Sequence, residues 1–382
     1  MTARISTCCS SLCLLLWIAC VSPACSGGGE RRPPAGADTS AVEPRHALGF
    51  SIARRGDALL LKVKNPWQYA SDVEFEYLLT PAASPDNPRE IKTPATRVVC
   101  MSTTHIAFIS ALGETSTIKG VSGLRHVSDT LVRAAAARGE TLETGYDANL
   151  SYETIYSLKP DVLFAYGVAG EFVPIEKKLN EIGIKVVYIG EYLEETPLGK
   201  AEWLIAVAAF FGRMKEAAAI FDRIEADYEQ VGKSARGCPT KPSVMINLPY
   251  KDVWYMPGMK NYMVKFIEDA GAKYVYPQNN RRESVPVSAE KAFALAWKAD
   301  FWLIGNASAS LDEMKAFDSR IAGVPAFKRK KIYNRNLRAN GFGDDFWESG
   351  IVKPEVILKD LIKIFHPDLL PEHESYFYRH LE

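Results

Sequence analysis

The chain lacks an excess of either charge: 46 Lys and Arg balance 46 Asp and Glu over 382 residues. Nucleic-acid binders usually carry a basic excess or stripe, so that class is disfavoured. Histidine is scarce, at six, and cysteine numbers only seven. Beyond the first 25 residues only Cys100 and Cys238 remain, too far apart for C-x-x-C or similar spacing, which argues against a structural zinc or iron–sulfur site. Catalytic signatures are missing as well. There is no G-x-S-x-G, no G-x-x-x-x-G-K-[ST], no H-E-x-x-H, and no G-x-G-x-x-G after a strand. The GFGDDF stretch near Gly341 has glycines without the strand-then-helix context that would give them that role. Low-complexity sequence is confined to one short stretch near the N-terminus. With 47% hydrophobic and 24% charged residues, wholesale disorder is excluded, and the length implies about two domains.

A bilayer-spanning run is absent too. The apolar run near the N-terminus, SLCLLLWIACV, is about half the roughly 20 residues a spanning helix needs. Its size fits the core of a signal peptide, preceded by one charge, Arg4. Ser22, Pro23, Ala24 and Cys25 follow, then SGGGERRPPAGAD. Small residues before a cysteine and a flexible stretch after it resemble a bacterial lipoprotein cleavage site. Residues 1–25 are therefore expected to be signal peptide and acylated Cys25, and residues 26–47 a tether. Ser22 and Pro23 depart from the usual pattern. Cys20 is a weaker rival site, and ordinary secretion with Cys25 in a disulfide is the competing reading. Cys8, Cys9, Cys13 and Cys20 leave with the signal. Cys100 and Cys238 remain, and Cys100, ending the apolar RVVCM pattern, is expected to be a small core residue.

Residues 48–95 open with two alternating stretches, ALLLKVK and VEFEYLL, expected to pair as a hairpin across NPWQYASD, followed by a Pro-rich loop. From Thr96 strands alternate with helices, the grammar of a parallel sheet. From Pro197 to about Val231 there is no proline, and Leu204, Val207, Phe211, Met214, Ala218 and Phe221 are spaced 3, 4, 3, 4, 3. Thr196 and Pro197 supply an N-cap and first turn. One helix of roughly 50 Å is expected, at 1.5 Å per residue. A coiled coil is the alternative, but its small alanines suit packing within one chain. The α/β grammar then resumes. The expected fold is thus α/β: two Rossmann-like lobes, 96–196 and 241–365, joined by one long α-helix, 197–232. A β-hairpin addition precedes them and a tail, 366–382, follows.

Candidate functional residues come from the loops and helix starts that follow strands, where α/β sheets bind ligands. His105 opens a helix directly after a strand and could ligate a metal or donate to a ligand; a capping or core-edge role is equally compatible. Glu153 and Glu290 stand two residues after a Ser at the start of two similar helices, one in each lobe. Singly, each is what a helix dipole favours at a first turn; their equivalent placement in both lobes is the notable point. Loops after strands carry planar and polar side chains, among them Tyr166, Trp254, Tyr255, Asn280, Asn306, Phe346 and Trp347. Such residues suit stacking on a bulky flat or chelate ligand, although large loops also need aromatics for their own packing.

The segments RVVCMSTTHIAFISALGETSTIKGVSG, LSYETIYSLKPDVLFAYG and FWESGIVKPEVILKDL resemble the periplasmic substrate-binding proteins of iron-complex and vitamin B12 ABC importers. The resemblance runs from about Thr96 to Phe365. It implies a two-lobe cleft around a metal chelate, with one glutamate per lobe docking on the permease; by motif these match Glu153 and Glu290. It also implies a monomer at the periplasmic face of the envelope, held to the membrane by its lipid. The chelate is cargo, and no resident cofactor is implied. The family often has Glu after the Thr of its first strand–helix turn; here His105 follows Thr104. The expected cargo is an iron complex (siderophore or haem), with cobalamin as the alternative. A chelatase using His105 with Glu348 or Asp344 and a purely structural lipoprotein are the readings from other classes.

Overall fold

The computed structural model describes residues 41–382, apart from 147–148 and 250–252. The expected signal peptide, Cys25 and most of the tether lie outside the described residues. The period-two stretches build the first layer. β1 (Ala41–Val42), β2 (Phe50–Arg55), β3 (Ala58–Lys64), β4 (Glu74–Thr80) and β5 (Glu90–Lys92) form one sheet in that order. β3 and β4 pair antiparallel, with Leu61 opposite Tyr77 and Lys62 opposite Glu76. Leu61, Val63, Tyr77 and Leu79 are buried, while Lys62 pairs with Glu74 and Glu76. The two strands of the expected hairpin do pair, as neighbours within a five-stranded sheet. β5 arises inside the stretch expected to be loop, because fully buried Ile91 draws it alongside β4.

The N-terminal lobe alternates β6 (Val98–Cys100), α1 (Thr103–Ala111), β7 (Ile118–Val121), α2 (Thr130–Ala137), β8 (Leu142–Glu143), α3 (Tyr152–Leu158), β9 (Val162–Ala165), α4 (Val173–Glu181) and β10 (Val186–Tyr188). Its parallel sheet has the order β10-β9-β6-β7-β8. β6, β9 and β10 are buried along their whole length, as parallel strands covered on both faces must be. The chain leaves β6 toward β7 and later returns to β9 on the other side. The strand order therefore reverses between β6 and β9.

The connector differs from the expected single helix. It is two helices, α5 (Pro197–Ala209) and α6 (Met214–Arg236). The break falls at Gly212, which adopts φ +68, a left-handed conformation that ends a helix without the penalty a Cβ would bring. The two helices also have different surroundings. All 13 residues of α5 are buried, whereas α6 buries one stripe that includes Phe221, Ile224 and Tyr228. α6 alone, with 23 residues, spans about 35 Å. Thr196 caps α5 as expected, accepting from the Gly199 amide.

The C-terminal lobe holds β11 (Ser243–Ile246), β12 (Val253–Met256), α7 (Tyr262–Asp269), β13 (Lys273–Tyr274), β14 (Val285–Ser288), α8 (Ala289–Ala296), β15 (Phe301–Ile304), α9 (Leu311–Phe317), α10 (Pro325–Lys328), β16 (Ile332–Asn334), β17 (Ala339–Asn340), β18 (Gly343–Asp344), α11 (Pro354–Phe365) and β19 (Arg379–His380). Its main sheet runs β13-β11-β15-β16-β19, with only β19 antiparallel to its neighbour. Residues 366–382, expected as a tail, complete this lobe. The buried Asp360 carboxylate accepts from the amides of Tyr376, Phe377 and Tyr378, and Phe377, Tyr378 and Leu381 are buried.

Two further buried carboxylates tie the start of the fold to the connector. Glu202 on α5 accepts from the amides of Arg45, His46 and Ala47 at 2.7–2.8 Å. Glu194 accepts from the amides of Leu48 and Gly49 and from the Trp203 indole. Backbone donors satisfy these acids where they would otherwise be costly to bury.

Candidate ligand site

Ligands of open α/β sheets bind outside the carboxyl ends of the strands where the order reverses. In the N-terminal lobe that point lies beyond β6 and β9. A cavity of about 520 Å³ opens there, lined by Met101 just after β6, Ser122 just after β7, and Tyr166 and Val168 beyond β9. Tyr146 and Phe172 add further aromatic wall. The volume falls in the range of small-molecule sites, and the lining is mostly apolar, with hydroxyl tips and the Glu171 side chain, whose carboxylate accepts from the Val168 and Ala169 amides. Two phenol groups at one mouth can donate hydrogen bonds, and a tyrosine oxygen is a known type of haem-iron ligand. Tyr166 thus stands where the strand-end rule puts it. Met101, Ser122 and Tyr146 escaped the sequence reading; the same rule, applied to every strand end rather than to aromatic clusters, would have found them.

A second, much smaller space of about 30 Å³ lies between Thr104, Lys200, Tyr262, Phe346 and Trp347. Ser102 caps α1 and so fixes Thr104. The Lys200 ammonium is buried 4.5 Å from the Tyr262 ring centre, a cation–π geometry. Burial lowers the Lys200 pKa, against the attraction of Glu191 and Glu194. Burial likewise raises that of Glu191, against the attraction of Lys200. Trp347 is 39% exposed, with the Arg335 guanidinium 4.3 Å over its ring, and Arg335 is held by Asp344 at 2.9 Å. This junction has no room for a chelate. Its chemistry is that of a fixed joint, with buried charges bridging α1, α5, α7 and the 335–347 segment.

Direct bonds also cross from lobe to lobe. The Phe342 carbonyl accepts from His126 Nδ1 at 2.9 Å, and Arg125 lies over the Phe342 ring. The Glu348 carboxylate accepts from the amides of Ser128 and Asp129 at 2.6 and 2.7 Å. Arg282 pairs with Glu195 at 3.0 Å. Burial pushes the Glu348 carboxyl up to about 7, outweighing the two amide bonds that favour its charged form. A wider cavity, about 670 Å³, opens between α1–α2 and residues 337–353. It does not include the β6/β9 switch point, and several of its charges are satisfied within its walls: Arg338 by Asp345, Asp129 as the cap of α2, and Glu348 by the Ser128 and Asp129 amides.

Several expected site residues lie elsewhere. His105 is fully buried in α1, edge-on to Phe164, and burial lowers its pKa to about 3. A neutral ring sealed in the core neither ligates cargo nor joins Glu348 or Asp344 in a chelatase-like group. Trp254 is also fully buried, stacked on Trp302 with its indole N–H given to the Ile246 carbonyl. Phe346 is buried among Trp347, Phe377 and Tyr378. Asn306 is tied into a loop network with Ser308, Asn334 and Asn336. Tyr255 and Asn280 are exposed and line neither space. Trp254 and Tyr255, expected in a loop, lie inside β12, paired with β14; for His105, Asn306 and Phe346 the position after a strand was right but the side-chain direction was not readable. Glu153 and Glu290 are exposed in the first turns of α3 and α8, behind the N-caps Ser151 and Ser288. Cys100 is buried and Cys238 half-buried, both as free thiols. Among the described residues no group of three or more His, Cys, Asp or Glu is placed to hold a metal ion. Among them, too, no helix is long and apolar enough to cross a membrane.

Comparison with known proteins agrees with this architecture. The chain is 28% identical over 305 residues to an uncharacterised lipoprotein of Methanocaldococcus jannaschii, covering 77% of this chain and 70% of that one. The structure of an ABC transporter substrate-binding protein from Listeria monocytogenes superposes with a TM-score of 0.53 at 18% identity, covering 71% of this chain and 99% of the other. That of a periplasmic heme-binding protein from Pseudomonas aeruginosa gives 0.56 at 18% identity, covering 75% and 98%. Residues 98–335, well over half the chain, match the family model for periplasmic binding proteins. With two α/β lobes, a helical connector and a strand-end cavity, the chain belongs to the periplasmic binding protein family.

Proposed function

We propose that this protein is a lipid-anchored receptor that captures an iron complex, haem or a ferric siderophore, and passes it to an ABC permease. The observation that carries the reading is the 520 Å³ cavity at the β6/β9 switch point, whose walls include Tyr146, Tyr166 and Phe172. Flat aromatic walls suit a planar or chelate cargo, and phenol oxygens suit a ferric centre. The heme-binding description of the Pseudomonas aeruginosa protein supports the same class. Glu153 and Glu290 would dock on the permease: two exposed carboxylates, one in each lobe, testing lobe geometry through charge-assisted pairs. Cys25 would carry the lipid, and the lipoprotein description of the Methanocaldococcus relative supports that role. Tethering to the membrane raises the effective concentration near the permease, so docking need not be tight. The receptor would act as a monomer at the periplasmic face of the envelope.

The test is titration of the purified mature chain with hemin, a ferric trihydroxamate and cyanocobalamin, read by absorbance and tryptophan fluorescence. Saturable binding of an iron complex is expected. Saturation with cyanocobalamin alone would transfer the reading to a corrinoid receptor. Metalloporphyrin formed from porphyrin and ferrous iron would replace it with a chelatase. Separately, Cys25→Ser should move the protein from the membrane to the soluble fraction.

A further inference from the structure

The loop between β3 and β4 does more than turn the chain. Its Gln68 amide donates to the Val168 carbonyl at 2.9 Å, and Val168 is part of the cavity wall. Beside it the Trp67 ring covers Gly170 so closely that a Cβ there would lie 3.2 Å from the indole nitrogen. Trp67 is itself wedged edge-on against Phe75 of β4 and Tyr188 of β10. On the other side the Tyr192 hydroxyl donates to the Gly167 carbonyl at 2.7 Å. The 167–170 segment is therefore held between the added sheet and the N-terminal lobe.

Between Gln68 and this anchor's return to β4, one residue has no packing explanation. Tyr69 is 76% exposed and sits at φ +65. Two other residues of the loop, Asn65 and Asp72, also have positive φ. Asn and Asp tolerate that region, and Asn65 closes the loop by bonds to Val73 through both its backbone and its side chain. A bulky aromatic does not tolerate it, and glycine would make the same turn without strain. A large ring kept exposed on a strained backbone, next to a residue bonded to the cavity wall, is the kind of outlier that function maintains.

We infer that the 65–72 loop belongs to the ligand site, and that Tyr69 supplies an aromatic contact to the cargo from outside the two lobes. The inference rests on the iron-complex reading of the cavity. It makes the N-terminal sheet a determinant of specificity rather than a passive addition. Trp67 and Gln68 position the loop, and Tyr69 touches the cargo through its ring, not its hydroxyl.

The experiment compares Tyr69→Gly, Tyr69→Ala and Tyr69→Phe with the wild-type chain. Hemin, the ferric trihydroxamate and cyanocobalamin are the probes, and thermal unfolding is followed in parallel. Tyr69→Gly should unfold at the same or a higher temperature, because strain is relieved, and yet bind the wild type's preferred probe about five- to tenfold more weakly, the loss of one aromatic pair. Tyr69→Ala should weaken binding similarly, and Tyr69→Phe should stay within about twofold. A purely structural tyrosine predicts the reverse for Tyr69→Gly: a lower unfolding temperature with unchanged affinity. Wild-type binding of a probe with unchanged affinity in Tyr69→Gly overturns this inference and leaves the receptor reading standing. A wild-type chain that binds none of the three probes overturns both.

Discussion

Glu348 offers the sharpest quantitative test of the contact between the lobes. Its carboxylate is 3% exposed and reaches across to the amides of Ser128 and Asp129 at 2.6 and 2.7 Å. Burial raises its pKa from the ordinary 4.5 to about 7. The folded protein therefore holds this proton more tightly than the unfolded chain does. The stability it contributes is full below about pH 4.5 and is lost progressively as the pH rises through about 7. At 1.36 kcal/mol per pH unit the whole effect is about 3 kcal/mol, of which about 2 to 3 kcal/mol falls between pH 5 and 8. Glu348→Gln keeps a carbonyl oxygen for the amides but has nothing to ionise. Urea unfolding of both proteins at several pH values across this window isolates the residue. Glu191, Glu194 and Asp344, also raised by burial, titrate in both and cancel in the difference. The wild type should lose about 2 to 3 kcal/mol more than Glu348→Gln on going from pH 5 to 8. Parallel stability curves would refute the reasoning, and a wild type that gains relative to the variant would reverse its sign.

Replacing both Glu153 and Glu290 by Ala should leave cargo affinity in solution nearly unchanged while slowing uptake in proteoliposomes with the permease; a fall in affinity would remove them from the docking role. Trp347→Ala should cost about 1–3 kcal/mol in urea unfolding, from lost aromatic burial and a freed Arg335, while leaving cargo affinity nearly unchanged, because the ring lies in the junction and not in the cavity; a clear fall in affinity by isothermal titration would put it back in the site. Glu202→Ala strands the amides of Arg45, His46 and Ala47 and should cost about 2–4 kcal/mol in urea unfolding. A cost below about 0.5 kcal/mol would show that water serves those donors equally well.

The lobes were legible because their strands and helices follow local rules: short apolar runs such as VLFA and FWLI, bounded by turn residues and alternating with helices, read as buried parallel strands. Glu153 and Glu290 were legible for the same reason, since an exposed first-turn carboxylate behind a serine cap is a local arrangement. The end of α5 was not. Leu204, Val207, Phe211 and Met214 keep helical spacing through a place where Gly212 turns the chain, so periodicity alone could not show the break. The 366–382 segment looked like a tail because its binding partner, Asp360, displays no sign of its three amide bonds in the sequence. His105 was placed correctly after a strand, yet its ring turns into the core, and Trp254, expected in a loop, lies inside β12 with its ring buried.

What the sequence by itself determined is the succession of elements, the α/β class and the strand ends where cargo chemistry could sit, because propensity and hydrophobic period act over a few residues. Only the tertiary structure decided which strand-end side chains face the cavity and that Glu348 spans the lobes. It alone brought the β3–β4 loop against Val168, about 100 residues along the chain. Those outcomes depend on contacts between segments far apart in sequence, and no local pattern encodes the direction of a side chain toward a partner it meets only after folding.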